Sequence, residues 1–281
     1  MRSVTTATKF LVAIAVLASL YSTVASAADI ESAKKAFQSH YYDIAQSQLE
    51  PLAKANNPEA QFYLGFIYYW GLGTPENYGS ALKWFKASSQ GGNAASELYL
   101  GFIYLLGNDV AKDHREALRH FSIAAETGMA EAQCLVGFIH ERGQNVERNY
   151  PEAARWYRLA ADQGVGEAQA ALGSLYRQGK GVPQDYAEAV KWYKKAAEQG
   201  IIDAQYYLAA LYGAGQGTQR DHVEAHKWAS IAGSLKEVKS PKPAEMPAKL
   251  MTQAQLAEAQ RLADEWQPKV SFQSATFKLL N

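Results

Sequence analysis

One spacing constrains this chain more than any other: a step of 36 residues, kept without insertion or deletion through more than half of its 281 residues. Gly65, Gly101, Gly137 and Gly173 hold that step, with Ala209 next in line. Trp84, Trp156, Trp192 and Trp228 hold it too, with His120 in the one gap. So do Ala81, Ala117, Ala153, Ala189 and Ala225, and Gly71, Gly107, Gly143, Gly179 and Gly215. A period of this length means tandem supersecondary units, each burying a face it cannot bury alone, and such arrays act through an extended surface. Binding is therefore the expected kind of function.

The grammar inside a unit is helical, so the predicted fold class is all-α. In the fourth unit Ala168, Leu172, Leu175 and Tyr176 fall on one helical stripe. Gly179-Lys180-Gly181-Val182-Pro183 then breaks the helix, because glycine accepts positive φ and proline resists continuation. Asp185 precedes Tyr186-Ala187-Glu188, the spacing of a capping box. A second helix runs through Trp192, Tyr193, Ala196 and Ala197 to Gly200, placed to close it in the left-handed conformation. The Gly65 column sits mid-helix, where glycine costs about 1 kcal/mol relative to alanine. Its repeated use predicts a close helix–helix approach, and the tryptophan column is expected to plug between units.

The pattern Ala-x-x-x-Leu-Gly-x-x-Tyr…Gly-x-Gly-Val…Asp-Tyr-x-Glu-Ala-x-x-Trp-Tyr-x-x-Ala-Ala…Gly, read most clearly in the fourth unit, resembles the Sel1-like repeat (SLR) family, relatives of the tetratricopeptide repeats. The resemblance implies an α/α solenoid, a right-handed superhelix of helix–turn–helix units whose first helices line a concave face. On this reading residues 56–235 are five units, 28–55 a leading half repeat in which Tyr42 and Ala45 keep the phase, and 236–249 a Pro-rich linker. Residues 250–268 form a capping helix opened by Thr252 and Gln255, and 269–281 a loose tail.

The start of the chain reads as a secretory signal. Arg2 and Lys9 precede an apolar stretch from Phe10 to Leu20, and Ala25-Ser26-Ala27 offers a small-residue cleavage site. Cleavage after residue 27 leaves 26 basic against 28 acidic side chains and no second apolar stretch. The mature chain is thus expected to lack an integral membrane segment and any affinity for nucleic acid. The expected destination is the periplasm, with secretion as the alternative. Cys134 is the one cysteine, so no intramolecular disulfide is possible.

Candidate chemistry is thin. His114 and His222 stand in a tyrosine column with Tyr78, Tyr150 and Tyr186; His140 stands with Tyr68 and Tyr104; His120 replaces a tryptophan. These read as substitutes for packing aromatics. His222 and His226 are one turn apart, but the intervening glutamate is misplaced for His-Glu-x-x-His and no third ligand is signposted, so no metal site is expected. Ser32-Ala33-Lys34-Lys35 matches Ser-x-x-Lys, yet Ser-Asp-Asn and Lys-Thr-Gly are missing. Some cysteine-rich members of the SLR family act on β-lactams, and they carry regularly spaced cysteine pairs that this chain lacks. No catalytic residue and no cofactor is assigned; a cell-wall or β-lactam-directed hydrolase is the competing reading. Cys134, in the column of Phe62, Leu98 and Tyr206, is expected to be an apolar filler.

One feature rises above the scaffold. With Ala60, Leu64, Ile67 and Tyr68 as the core of the first helix, the opposite face carries Tyr63, Phe66, Tyr69 and Trp70. The second unit continues it with Tyr99, Phe102, Leu105 and Leu106. The third gives Leu135 and Phe138, then Glu141 and Arg142; the fourth has Ala171, Ser174, Arg177 and Gln178. The expectation is an aromatic patch grading into a polar floor. It would serve an exported adaptor that holds a protein or peptide partner in a groove, in envelope assembly or regulation, with a secreted factor that binds host proteins as the alternative.

Overall fold

A computed structural model describes residues 29–143, 146–234 and 251–269, and every statement about structure concerns these. The expected signal segment, the linker, and the tail beyond Lys269 with Phe272 and Phe277 lie outside them. Among the described residues there are thirteen helices and no strand. The chain divides into two compact units, Met1–His120 and Phe121–Asn281.

The first unit opens with α1 (29–38) and α2 (Tyr42–Lys54), then α3 (Pro58–Trp70), α4 (Tyr78–Gln90) and α5 (Ala94–Leu106). α6 (His114–Glu126) begins in it and runs on as the first helix of the second. The second unit continues with α7 (Ala130–Arg142), α8 (Tyr150–Asp162), α9 (Gly166–Gln178), α10 (Tyr186–Glu198), α11 (Ile202–Ala214), α12 (His222–Ser234) and α13 (Gln253–Asp264). From α3 to α12 every helix has 13 residues and the starts recur every 36, so each repeat is one helical hairpin. The segment ahead of the first repeat is a helix pair, where the sequence suggested half a unit. The turn between α1 and α2 is shorter than in the repeats and bends at His40, whose φ is 62°, which takes α1 out of the 36-residue phase.

Two glycine columns do different work. Gly71, Gly107, Gly143, Gly179 and Gly215 each close a first helix with φ between 62° and 79°, and the amide of each reaches back into the last turn. The mid-helix glycines let an aromatic ring lie on the backbone. A Cβ on Gly65 would stand 2.6 Å from Phe85 Cδ1, one on Gly137 2.8 Å from Tyr157 Cδ1, and one on Gly173 3.0 Å from Tyr193 Cδ1. In the fifth repeat the ring position is Ala229, and there the glycine column becomes Ala209.

Each first helix is also tied to the end of the helix before it. Gln61, Gln133, Gln169 and Gln205 donate Nε2–H to the carbonyls of Ala53, Ala125, Ala161 and Ala197, at 3.0–3.2 Å. Trp192 and Trp228 are buried, as the column predicts, and their indole N–H groups donate to Glu188 and Glu224 at 2.9 and 3.0 Å. That use of Glu188 corrects the capping-box reading. Asp185 does cap α10, accepting from the amides of Ala187 and Glu188, but the Glu188 carboxylate turns to Trp192 and Lys191. α13 carries a true reciprocal box between Thr252 and Gln255 and packs on α12, with Trp266 edge-on to Trp228 at 6.1 Å.

Candidate functional site: an aromatic face in the first unit

In the first unit the rings on α3 and α5 form a continuous cluster. Tyr99 is its hub: 5.9 Å from Phe62, 5.4 Å from Phe66, 5.4 Å from Tyr69, and stacked on Phe85 at 5.0 Å with planes 14° apart. Phe37 of α1 adds edge contacts to Tyr63 and Phe66 at 5.0 and 5.7 Å. Trp70, in the last turn of α3, lies against Phe66 and Tyr69 at 6.2 and 5.2 Å. Its indole is 39% exposed, while Tyr63, Phe66, Tyr99 and Leu106 are half-buried. Beside Tyr63, Lys34 Nζ bridges Glu31 and Glu59, both at 2.8 Å, and those hydrogen bonds raise the lysine pKa. Burial pushes the Tyr63 phenol up as well.

Three rim residues expected from the sequence are interior instead. Tyr69 is 4% exposed, Phe102 3% and Leu105 6%. The cause is geometric. A first helix in stacked hairpins is walled by its own partner helix and by the neighbouring hairpin, so its buried arc is wider than a two-layer estimate allows. Tyr69 shows this through edge contacts with Tyr78 and Phe85 of α4, at 5.5 and 6.3 Å. Burial pushes its phenol well above the usual range.

In the second unit the polar residues of the same register serve the interior. Tyr157 donates its hydroxyl to Glu141 at 2.8 Å; Arg177 Nε donates to the Tyr193 hydroxyl at 3.4 Å and its guanidinium lies 4.4 Å over the Tyr207 ring. Burial raises both phenols, strongly for Tyr157. Where the ring in the glycine groove is Phe85, the facing residue is the uncharged aromatic Tyr69; where it is Tyr157 or Tyr193, the facing residue is the charged Glu141 or Arg177. A buried hydroxyl left unpaired is costly, so the phenol selects a polar neighbour. The expected polar floor at Glu141 and Arg177 is thus corrected to an internal hydrogen-bond set. Leu135 is buried. Phe138 is half-buried beneath the exposed Arg142, whose guanidinium carbon stands 5.2 Å from the ring.

Other candidates fall into place. Ser32 and Lys35 are exposed on α1. Cys134 is fully buried and its thiol is pushed up by that burial, as suits an apolar filler. His140 is half-buried, its Nδ1 lacks a hydrogen-bond partner, and burial lowers its pKa. Among the described residues no cluster of three or more His, Cys, Asp or Glu side chains is arranged to hold a metal ion, and no helix is long and apolar enough to cross a membrane.

Sequence reasoning missed one polar constellation. Glu97, in the glutamine column, and His120, in the tryptophan column, are both buried, with His120 Nδ1 2.6 Å from Glu97 Oε2. The His120 ring stacks on Tyr104 at 5.4 Å. The signal was available, since two columns change chemistry in the same repeat.

Comparison with known proteins identifies the repeat. The chain matches the Sel1 repeat family over residues 58–93, 94–129, 130–165, 166–201 and 202–236. No curated protein matches it. A Sel1 repeat protein from Oxalobacter formigenes is 31% identical, with a TM-score of 0.69, over 74% of this chain and 85% of that one. A protective antigen of uropathogenic Escherichia coli strains that displays an SLR fold is 27% identical, with a TM-score of 0.55; the match covers 79% of this chain but only 56% of the antigen.

Proposed function

The chain belongs to the Sel1 repeat family, whose members generally serve as protein-interaction scaffolds and are typically non-catalytic, and we propose that this one is an exported adaptor that seats an apolar segment of a protein partner on the aromatic face of its first unit. The reading of residues 1–27 as a secretory signal supports export, with the periplasm as the proposed destination and secretion as the alternative.

The observation that carries this reading is Trp70. A large ring that is 39% exposed, flanked by the half-buried Phe66, Tyr63 and Tyr99, offers apolar area with little conformational freedom left to lose. Contiguous exposed apolar surface usually marks an interaction site, and tryptophan and tyrosine dominate binding energy at such sites. Trp70→Ala should weaken the affinity for the envelope partner at least tenfold, equivalent to about 1.4 kcal/mol. The thermal midpoint should fall less than for a fully buried ring, because the exposed part of the indole adds nothing to the contacts with Phe66 and Tyr69. A large fall in the midpoint with unchanged affinity would assign the ring to the core and end the proposal. Deleting residues 1–27 and fractionating cells tests the address: the chain should then stay in the cytoplasm.

A further inference from the structure

The second repeat departs from its neighbours in three registers at once. The glutamine column reads Gln61, Glu97, Gln133, Gln169, Gln205; the tryptophan column has His120; and the position eight before the glutamine, alanine at 53, 125, 161 and 197, is Ser89. In the other four repeats an amide N–H fixes the first helix to a carbonyl of the preceding helix, a bond indifferent to pH. Ionised Glu97 has no donor to offer. It accepts instead, from the Ser89 hydroxyl of α4 at Oε1 and from His120 Nδ1–H of α6 at Oε2. Arg119 donates to His120 Nε2 at 2.9 Å, which assigns the neutral imidazole its proton on Nδ1.

We propose that the meeting point of α4, α5 and α6 is an acid-sensitive hinge, closed by the Glu97 carboxylate where every other repeat uses an amide. Both bonds require an acceptor. Protonating Glu97 leaves its O–H facing either His120 Nδ1–H, which cannot accept, or the Ser89 hydroxyl, which must reverse to accept, and in either case the bonds lose the charge assistance of the carboxylate in a buried place. The groups that face this point are Lys86 and Ser89 on α4, Glu97 and Tyr104 on α5, and Glu116, Arg119 and His120 on α6. Charging His120 puts a proton on Nε2 and ends the bond from Arg119, but Nδ1 keeps its proton and its Glu97 partner. Arg119, which also donates Nε and a terminal amino group to Glu116, retains that pair. The carboxylate is therefore the sensitive member.

The direction follows from linkage. Burial pushes the Glu97 carboxyl up, but the hydrogen bonds from His120 and Ser89 and the nearby Arg119 charge outweigh it, leaving it below the ordinary range. A carboxyl lowered on folding contributes stability that is present above its unfolded value and is lost as pH falls through its folded value. The hinge thus opens on acidification. Its opening separates Phe85 of α4 from Tyr99 of α5, the stacked pair at the hub of the aromatic cluster. The hinge stands on its own whether or not that cluster binds a partner.

Hydrogen–deuterium exchange of the α5 amides between pH 7 and pH 3 tests it, with opening constants corrected for intrinsic exchange. In the wild-type chain the opening constant should rise by up to tenfold per pH unit between the ordinary carboxyl value and the lowered value of the closed hinge, where one proton is bound on opening, and level off below it. Glu97→Gln restores the donor used by the other repeats and should flatten that profile. Ser89→Ala removes one of the bonds that holds the carboxyl ionised, so it should raise the opening constant at pH 7 and make the acid-induced rise level off at a higher pH, with a smaller total rise than wild type. A Glu97→Gln profile that tracks wild type, or a Ser89→Ala profile with the same total rise as wild type, overturns the proposal. The serine arm decides alone if Glu97→Gln does not fold.

Discussion

Gly65→Ala is the sharpest test of why the repeats close as they do. An alanine Cβ at this site would lie 2.6, 2.7 and 3.0 Å from Phe85 Cδ1, Cε1 and Cγ, about 1 Å inside comfortable carbon–carbon contact. Those ring atoms sit close to the α4 backbone, and Phe85 is fully buried, so the ring cannot swing away. Overpacking of this kind costs about 1–3 kcal/mol, and an overlap this deep belongs at the upper end. The helix itself gains about 1 kcal/mol from alanine over glycine, which leaves a net loss of about 2 kcal/mol. Phe85→Ala alone should cost about 3–5 kcal/mol. The informative measurement is the cycle between them, by urea unfolding followed in the far-ultraviolet. In the Phe85→Ala background, Gly65→Ala should reverse sign and stabilise by about 1 kcal/mol, because only the helical preference remains. The fifth repeat already carries that pair, as Ala209 and Ala229. Simple additivity of the two changes would refute the assignment of the glycine to the ring.

Two further outcomes follow from the described contacts. Thr252→Ala removes half of the reciprocal box at the start of α13 and should cost about 1 kcal/mol; exchange of the α13 amides should accelerate while the repeats stay protected. Cys134 should resist a thiol reagent under native conditions and react only on unfolding, because it is fully buried and its thiol is pushed up by that burial.

The period carried most of what could be read in advance. Helix starts 36 residues apart, the left-handed glycine closures, the buried tryptophans and the box at Thr252 all depend on local chemistry that repeats or on a motif a few residues long. α1 was not legible as a helix paired with α2 because its turn is short and breaks phase. The rim of the aromatic face was only half legible. A helical wheel divides a helix into inside and outside, whereas Tyr69, Phe102 and Leu105 sit where a third neighbour closes the arc.

Columns in a repeat protein are not independent, and this is where a residue-by-residue reading fails. Glu141 and Arg177 looked like solvent-facing charges because the same register holds Tyr69 and Leu105 earlier in the chain. Read against the register 16 residues later, they are answers to the Tyr157 and Tyr193 hydroxyls, where Phe85 asks for nothing polar. The same reasoning joins Gly65, Gly137 and Gly173 to a ring, Ala209 to the missing ring, and Glu97 to His120 and Ser89. A change in one column that is matched by a change in another marks a contact; a charge with no such counterpart faces water. Trp70 is one of the exposed large hydrophobics among the described residues, with Tyr41, Ile44, Ile123 and Leu159, and its contacts with Phe66 and Tyr69 join it to the aromatic cluster, which is why the proposed partner site is centred on it.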